Sequence, residues 1–231
     1  MNKYLSITVS DFKNLRRDPT LLVLFFVPVL ILGVIRFGIP YISEYIPTID
    51  DFHKEIISFF ALLNAVFPGF IISFMLLDEK DLQLFPVINV TPVSLSGFLA
   101  VRIVFMVFFG FLSSMLLIMH NGIYSISIFK AIQLAMLCAL NTPILILLII
   151  SIAKNKVEGL SMLKLATVSL MIPMLVFFFN TFWVKLLAIF PAFWVYAFMD
   201  SVKNQQMIFI LGMCFLGVLN YFCFRYAVKM K

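Results

Sequence analysis

From Ile56 to Leu77 the chain reads IISFFALLNAVFPGFIISFMLL, and it runs straight into Asp78-Glu79-Lys80-Asp81. No Asp, Glu, Lys or Arg interrupts the apolar run. A transmembrane helix takes about 20 predominantly apolar residues, so this segment reads as one crossing that stops at a charged boundary. Five further apolar runs have similar length: about Leu21 to Ile42, Gly97 to Met119, Phe129 to Ala153, Leu163 to about Phe182, and Met207 to Tyr226. The whole composition agrees. Of 231 residues, 63% are hydrophobic and 12% charged, with a mean hydropathy of +1.11, whereas a soluble domain is about half apolar and about a quarter charged. That supply fills six or seven spans of about 20 residues and leaves little for a soluble domain. A soluble enzyme, a disordered chain, a collagenous repeat and a disulfide scaffold are excluded. The expected fold is all-α, a single polytopic membrane domain over residues 1–231.

The apolar stretch from Trp183 to Phe198 is interrupted by Lys185 and Pro191. It is short for a crossing and reads as a hairpin or re-entrant pair of short helices, which survives at membrane depth only when packed against protein. Six spans put both termini on one side; a seventh would separate them. With the N-terminus inside, twelve of the 17 Lys and Arg fall in inner segments, and the outer loops hold four, Lys54, Lys130, Lys185 and Lys203. Arg36, in the outer third of span one, can snorkel outward. The bias supports cytoplasmic termini, and basic inner loops account for the net charge of +6 without nucleic acid. Residues 1–19 carry Leu5, Val9 and Phe12 at helical spacing beside Lys3, Lys13, Arg16 and Arg17, the pattern of an interfacial helix. Residues 78–86 read as a short charged helix with an apolar side, limited by Pro86. Thr91-Pro92 then reads as an N-cap and first helical position.

Catalytic groups are missing. His53 and His120 have no Cys, Asp or Glu partner at ligand or triad spacing, and Gly159-Leu160-Ser161 sits in a loop with no histidine downstream. No HExxH and no GxxxxGK[ST] motif occurs, which leaves neither a metalloprotease nor an ATP-hydrolysing loop. Cys138, Cys214 and Cys223 form no CxxC and read as buried small apolar residues. The mid-span polar residues Asn64, Asn141, Asn180 and Asn220 are expected to bond neighbouring helices, and no mid-span ionisable group offers a gradient-coupling path. Pro28, Pro68-Gly69, Pro143 and Pro173 fall inside spans, where proline kinks a helix. Ala61, Ala65, Gly69 and Ser73 in span two, and Ala131, Ala135 and Ala139 in span four, recur every fourth residue, and such small rows let helices pack closely. The 28 Phe and 13 Met cover lipid and core surfaces, and some can line an adaptable apolar cavity.

The loop after span two carries a resemblance. Leu77-Asp78-Glu79-Lys80-Asp81-Leu82 followed by Val90-Thr91-Pro92-Val93-Ser94 resembles ABC-2-type transporter permeases, which carry an acidic–basic cluster, an apolar turn and a Thr-Pro-apolar-Ser step into span three. Lys80 stands where the family often has Arg, and Asp81 lies where a glycine usually follows. Phe12-Lys13-Asn14-Leu15-Arg16-Arg17-Asp18-Pro19 resembles the family's lead-in to span one. Lys154 to Ser161 resembles its second cytoplasmic loop, and Phe190-Pro191-Ala192-Phe193-Trp194 its outer re-entrant segment. The likeness runs along the whole chain.

The resemblance implies a fold of six spans with an interfacial helix, a coupling helix and a re-entrant segment at residues 183–198. It implies a permease subunit in the bacterial inner membrane, paired with a second copy or a paralogue, and no nucleic acid partner. Two copies of a separate ABC ATPase would bind ATP and Mg; this chain itself would hold no cofactor. Asp78, Glu79, Lys80, Asp81, Leu82, Leu84 and Phe85 would couple to the ATPase, with Lys154, Lys156 and Glu158 as a second contact. Short members with small outer loops resemble exporters of drugs or amphipathic peptides. Two alternatives stay open: a stand-alone secondary transporter or channel, and an immunity protein that binds a peptide without moving it.

Overall fold

The computed structural model describes residues 3–85, 94–179 and 181–229, with side chains from residue 8 onward. The regular structure of the described residues is helical. A short helix α1 (Lys3–Arg17) precedes α2 (Pro19–Ser43). Then come α3 (His53–Asp81), α4 (Leu95–His120), α5 (Ile128–Ile152) and α6 (Lys156–Met171), which tightens into a 3-10 stretch, Ile172–Phe177, at Pro173. The chain ends with α7 (Phe182–Lys185), α8 (Phe193–Asp200) and α9 (Gln205–Lys229). The six long helices α2, α3, α4, α5, α6 and α9 are each long and apolar enough to cross a membrane. The protein is therefore an all-α, multi-pass membrane protein.

The helices form a centre and a shell. In α3 and α5, 83% and 72% of the most apolar stretch is buried within the chain, against 6% in α2 and 11% in both α6 and α9. Lipid tails are as apolar as leucine, so exposed apolar helices cost nothing in a bilayer, and packing depends on close backbone approach and interhelical hydrogen bonds. The central pair has both. Ala61, Ala65 and Gly69 are buried on α3. A Cβ at Gly69 would lie 2.6 Å from Thr142 Cγ2 of α5, and one at Gly110 of α4 would lie 2.6 Å from the Ala65 carbonyl oxygen. Thr142 Oγ1 donates to that same carbonyl at 2.8 Å. Ala131, Ala135 and Ala139 are likewise buried on α5.

Asn64 Nδ2 donates to Ser113 O at 3.0 Å, and Asn220 Nδ2 to Leu140 O at 2.9 Å, so both join neighbouring helices as expected. Asn141 instead donates to Leu137 O of its own helix. Asn180 lies outside the described residues, as do Pro86 and the Thr91-Pro92 helix start.

The alternation of the six long helices puts α1 and the end of α9 at one end of the bundle, called here the α1 end. At the opposite end, Arg36 does not simply snorkel. Its Nη1 donates to the terminal carbonyl of His120 at 3.0 Å, from a π-helical stretch, Val34–Gly38, within α2. Lys54 pairs with Asp200 at 3.0 Å. The residue 183–198 segment is built from α7, a 3-10 stretch Leu186–Ile189, a turn at Pro191 and α8. Six of the α8 residues, Phe193 and Val195 to Met199, are buried, and Tyr196 Oη donates to Leu170 O at 2.8 Å. The backbone break is thus packed against protein, as its polar groups require.

Several sequence expectations change. Span five begins at Lys156 and ends at Phe177, so Gly159-Leu160-Ser161 is helical and not a loop. Asn155 starts the helix, its side chain accepting from Glu158 N at 2.9 Å, while the Glu158 carboxylate takes the Lys154 N–H at 2.8 Å. That reciprocal cap lets a charged stretch enter a helix. His53 does have an acidic neighbour: Asp50 Oδ1 stands 3.2 Å from its Nε2, because the 3-10 turn Pro47–Phe52 brings residues three apart onto one side. Of the cysteines only Cys138 is buried; Cys214 is exposed on α9. On α1, Val9 and Phe12 are both exposed, although Phe12 meets the Phe105 ring edge-on, and Leu15 packs against the core.

A candidate cargo cavity and the clamp beneath it

Three consecutive residues at the end of α3 reach three different helices. Successive residues on a helix turn by about 100°, so Asp78, Glu79 and Lys80 fan outward from one turn. The Asp78 carboxylate accepts from Lys156 Nζ of α6 at 2.9 Å. Glu79 takes two bonds from Arg102 of α4, at 2.5 Å from Nη1 and 2.6 Å from Nη2. Lys80 Nζ donates to Ile150 O and Ala153 O at 3.0 and 2.9 Å, satisfying carbonyls that the end of α5 leaves free. The end of α3 is therefore fastened to α4, α5 and α6 together.

The N-terminal segment is tied into the same bases. Asp11 of α1 accepts from Arg102 Nε at 2.8 Å and Nη2 at 2.5 Å. Arg102 is only 3% exposed and lies 4.2 Å from the Phe98 ring centroid. Bidentate pairing of a planar guanidinium to carboxylates is the geometry for which arginine is suited and lysine is not. Asp18 caps α2, accepting from Thr20 N at 2.8 Å, and pairs with Lys156 at 3.5 Å. Partial burial alone would raise the Asp18 carboxyl, but the Thr20 and Leu21 N–H groups and Lys156 together bring it below the ordinary carboxylate range.

A cavity of about 270 Å³ lies between α1, α2, α3 and α4. Its wall is aromatic and aliphatic, with Phe12, Phe25, Phe105 and Phe109 prominent. Phe12 meets Phe105 edge-on with centroids 5.7 Å apart, and Phe105 meets Phe109 at 4.6 Å. Asp11 and Arg102 line its α1 end, and Asn64 with Ser113 its deeper part. The two polar groups lie about 16 Å apart along α4 at 1.5 Å rise per residue. The cavity is thus long, apolar and polar-tipped.

The residues that the resemblance assigned to coupling separate into two groups. Asp78, Glu79 and Lys80 are engaged inside the chain, as above. Asp81 closes the helix, and Gln83, with φ of 52°, reverses the chain. The described part of 78–86 is therefore the last turn of α3 and a reversal, with the first residues of a new helical turn at Leu84 and Phe85, and not one continuous short helix. Asp81, Leu82 and Leu84 are exposed, and Phe85 packs on the core. In the second set, Lys156 joins the clamp, Glu158 caps α6, and Lys154 is exposed.

Asp11 and Arg102 were not singled out from sequence. The signal was present: Arg102 stands inside an apolar run, and an ionisable residue there marks a functional or paired position by default. Nothing in spacing pairs it with a residue 91 positions away.

Residues 11–226 match the family described as Rv2686c-like fluoroquinolones export permease proteins. The chain belongs to that family. Two curated relatives, fluoroquinolones export permease proteins MT2760 and Rv2686c of Mycobacterium tuberculosis strains CDC 1551 / Oshkosh and ATCC 25618 / H37Rv, are each 25% identical over 197 residues, covering 80% of this chain and 77% of theirs. No solved structure matches the chain. Membership agrees with the ABC-2-type resemblance and makes the protein a membrane permease, not an enzyme. In this permease the matched region begins at Asp11, so it takes in the whole clamp and all of the cavity lining but Thr8.

Proposed function

We propose that this permease is the membrane half of an ATP-driven exporter of the bacterial inner membrane. Two copies, or one copy and a paralogue, pair around the path. A separate ATPase subunit, binding ATP and Mg, sits beneath each. The α1 end faces the cytoplasm, in keeping with the charge bias. The observation that carries the reading is the clamp. A push on the end of α3 moves Asp78, Glu79 and Lys80, and through them α6, α4 and α5 together. The exposed reversal at Asp81, Leu82 and Leu84 directly follows that clamp and offers the surface to push on. The missing GxxxxGK[ST] loop fits a motor on another chain.

The cargo is an amphipathic or hydrophobic molecule held in the four-helix cavity. The names of the relatives and the cavity's modest volume favour a drug-sized aromatic molecule over a peptide. The test is reconstitution of the permease with candidate ABC ATPase subunits from the same organism, in lipid nanodiscs. The expected result is co-elution and ATP hydrolysis stimulated by cargo. Gradient-driven transport by the chain alone would overturn this reading in favour of a secondary transporter. Full protection of cells by a complex unable to hydrolyse ATP would instead favour an immunity protein.

A further inference from the structure

The cavity has a sign as well as a shape, and we infer that it selects an aromatic cation, with Asp11 as the selecting residue. This rests on reading the cavity as the cargo site. At its α1 end one guanidinium serves two carboxylates, Asp11 and Glu79, both bidentate. The cluster therefore carries one surplus negative charge. Asp11 and Arg102 are the ionisable residues of the lining. Among the described residues, Lys80 is engaged on the α5 carbonyls and Lys156 on Asp78 and Asp18. Lys13, Arg16 and Arg17 of α1 are exposed on its outer side. In a low-dielectric surround a surplus charge of this kind is poorly screened.

The remaining lining points the same way. Phe12, Phe105 and Phe109 meet at right or oblique angles, and aromatic faces attract cations, as in the cages that hold quaternary ammonium groups. In the deeper part, Asn64 Nδ2 donates to Ser113 O, and Ser113 Oγ donates to Asn64 O and Gly110 O. These bonds use one Asn64 N–H and the Ser113 hydroxyl hydrogen, and Asn64 Oδ1 is buried without a donor. The cavity thus offers negative charge and ring faces. An anion of equal size meets repulsion at Asp11.

The test uses the full-length permease alone in nanodiscs of zwitterionic lipid, with empty discs as background. Equilibrium binding is measured for tetraphenylphosphonium and tetraphenylborate, which share a shape and differ in sign. Saturable binding of the cation at least tenfold tighter than the anion is expected. Asp11→Asn, which leaves Arg102 and Glu79 balanced, lowers cation affinity about tenfold, and Asp11→Glu restores it. Phe105→Leu keeps the apolar volume without the ring and weakens only the cation, so it tests the idea even if Asp11→Asn fails to fold. Equal saturable binding of both ions, or unchanged selectivity in a folded Asp11→Asn protein, overturns the charge selection and leaves the cavity as cargo site. No saturable binding of either ion overturns the cavity reading as well. None of these outcomes depends on the ATPase, so a failure of ATP coupling is read separately.

Discussion

Arg102 is held by two carboxylates on different helices, and removing it would leave both partly buried carboxylates, Asp11 and Glu79, without a countercharge. Breaking a buried ion pair from one side costs roughly 3–5 kcal/mol. Arg102→Met is therefore expected to lower the thermal unfolding midpoint in detergent sharply, with Arg102→Lys intermediate because an ammonium cannot form both forks. A midpoint for Arg102→Met close to the wild type would show that the cluster does not hold the chain together. Asp18 gives a prediction with a sign in pH. Its carboxyl is lowered in the folded chain, so the stability it contributes is fully present above the ordinary carboxylate value of about 3.9 and is lost as pH falls through its lowered folded value. Asp18→Ala should cost about 1 kcal/mol near neutral pH, the usual worth of an N-cap. Thermal melts across pH should show the gap to wild type closing in acid. A gap that persists unchanged at low pH would assign the effect to packing instead. Asp18 was not read as a cap, although an Asp before Pro carries the residue types of a helix start. The Asp11–Arg102 pairing was not legible, because it depends on the register between α1 and α4, which no local pattern encodes.

Close approach of α3, α4 and α5 depends on small residues at the crossing points. A Cβ at Gly110 meets the Ala65 carbonyl oxygen, which belongs to rigid backbone and cannot rotate away. Gly110→Ala is expected to cost about 1–3 kcal/mol, the usual range for overpacking, and to lower the unfolding midpoint. Gly217 on α9 supplies the control, since nothing lies within 4 Å of its added Cβ. Gly217→Ala should be neutral or stabilising by up to about 1 kcal/mol, through the lower helix propensity of glycine. Equal effects at the two sites would show that packing at Gly110 is not limiting. The small-residue rows were readable from their four-residue spacing, as were the six apolar runs from their length. The start of α6 was not, because Lys154, Lys156 and Glu158 look like a polar loop. What makes Lys156 and Glu158 helical is the Asn155–Glu158 cap and the partners of Lys156 on α3 and at Asp18, two contacts from distant parts of the chain.

Across the whole molecule, transmission requires that a surface outside the chain be joined rigidly to the walls of the cavity. Glu79 is the joint: its carboxylate grips Arg102, which lines the cavity, and it sits three residues before Leu82, which is 70% exposed. The number of spans could be read from apolar length. The joint could not, since Asp78-Glu79-Lys80 looks the same whether its charges face a partner or the chain itself. The structure turns them inward and leaves Asp81, Leu82 and Leu84 outward. A partner that drives this permease should therefore press on the apolar pair and not on the acidic–basic cluster. Leu82→Asp places a charge on that exposed surface and touches nothing in the clamp. It is expected to leave the unfolding midpoint and tetraphenylphosphonium binding unchanged, while lowering cargo-stimulated ATP hydrolysis by the reconstituted complex at least tenfold. Charge reversal at Glu79 should do the opposite, lowering the midpoint first. If Leu82→Asp leaves stimulated hydrolysis intact, the motor contacts another surface, and exposed Lys154 is the next position to probe.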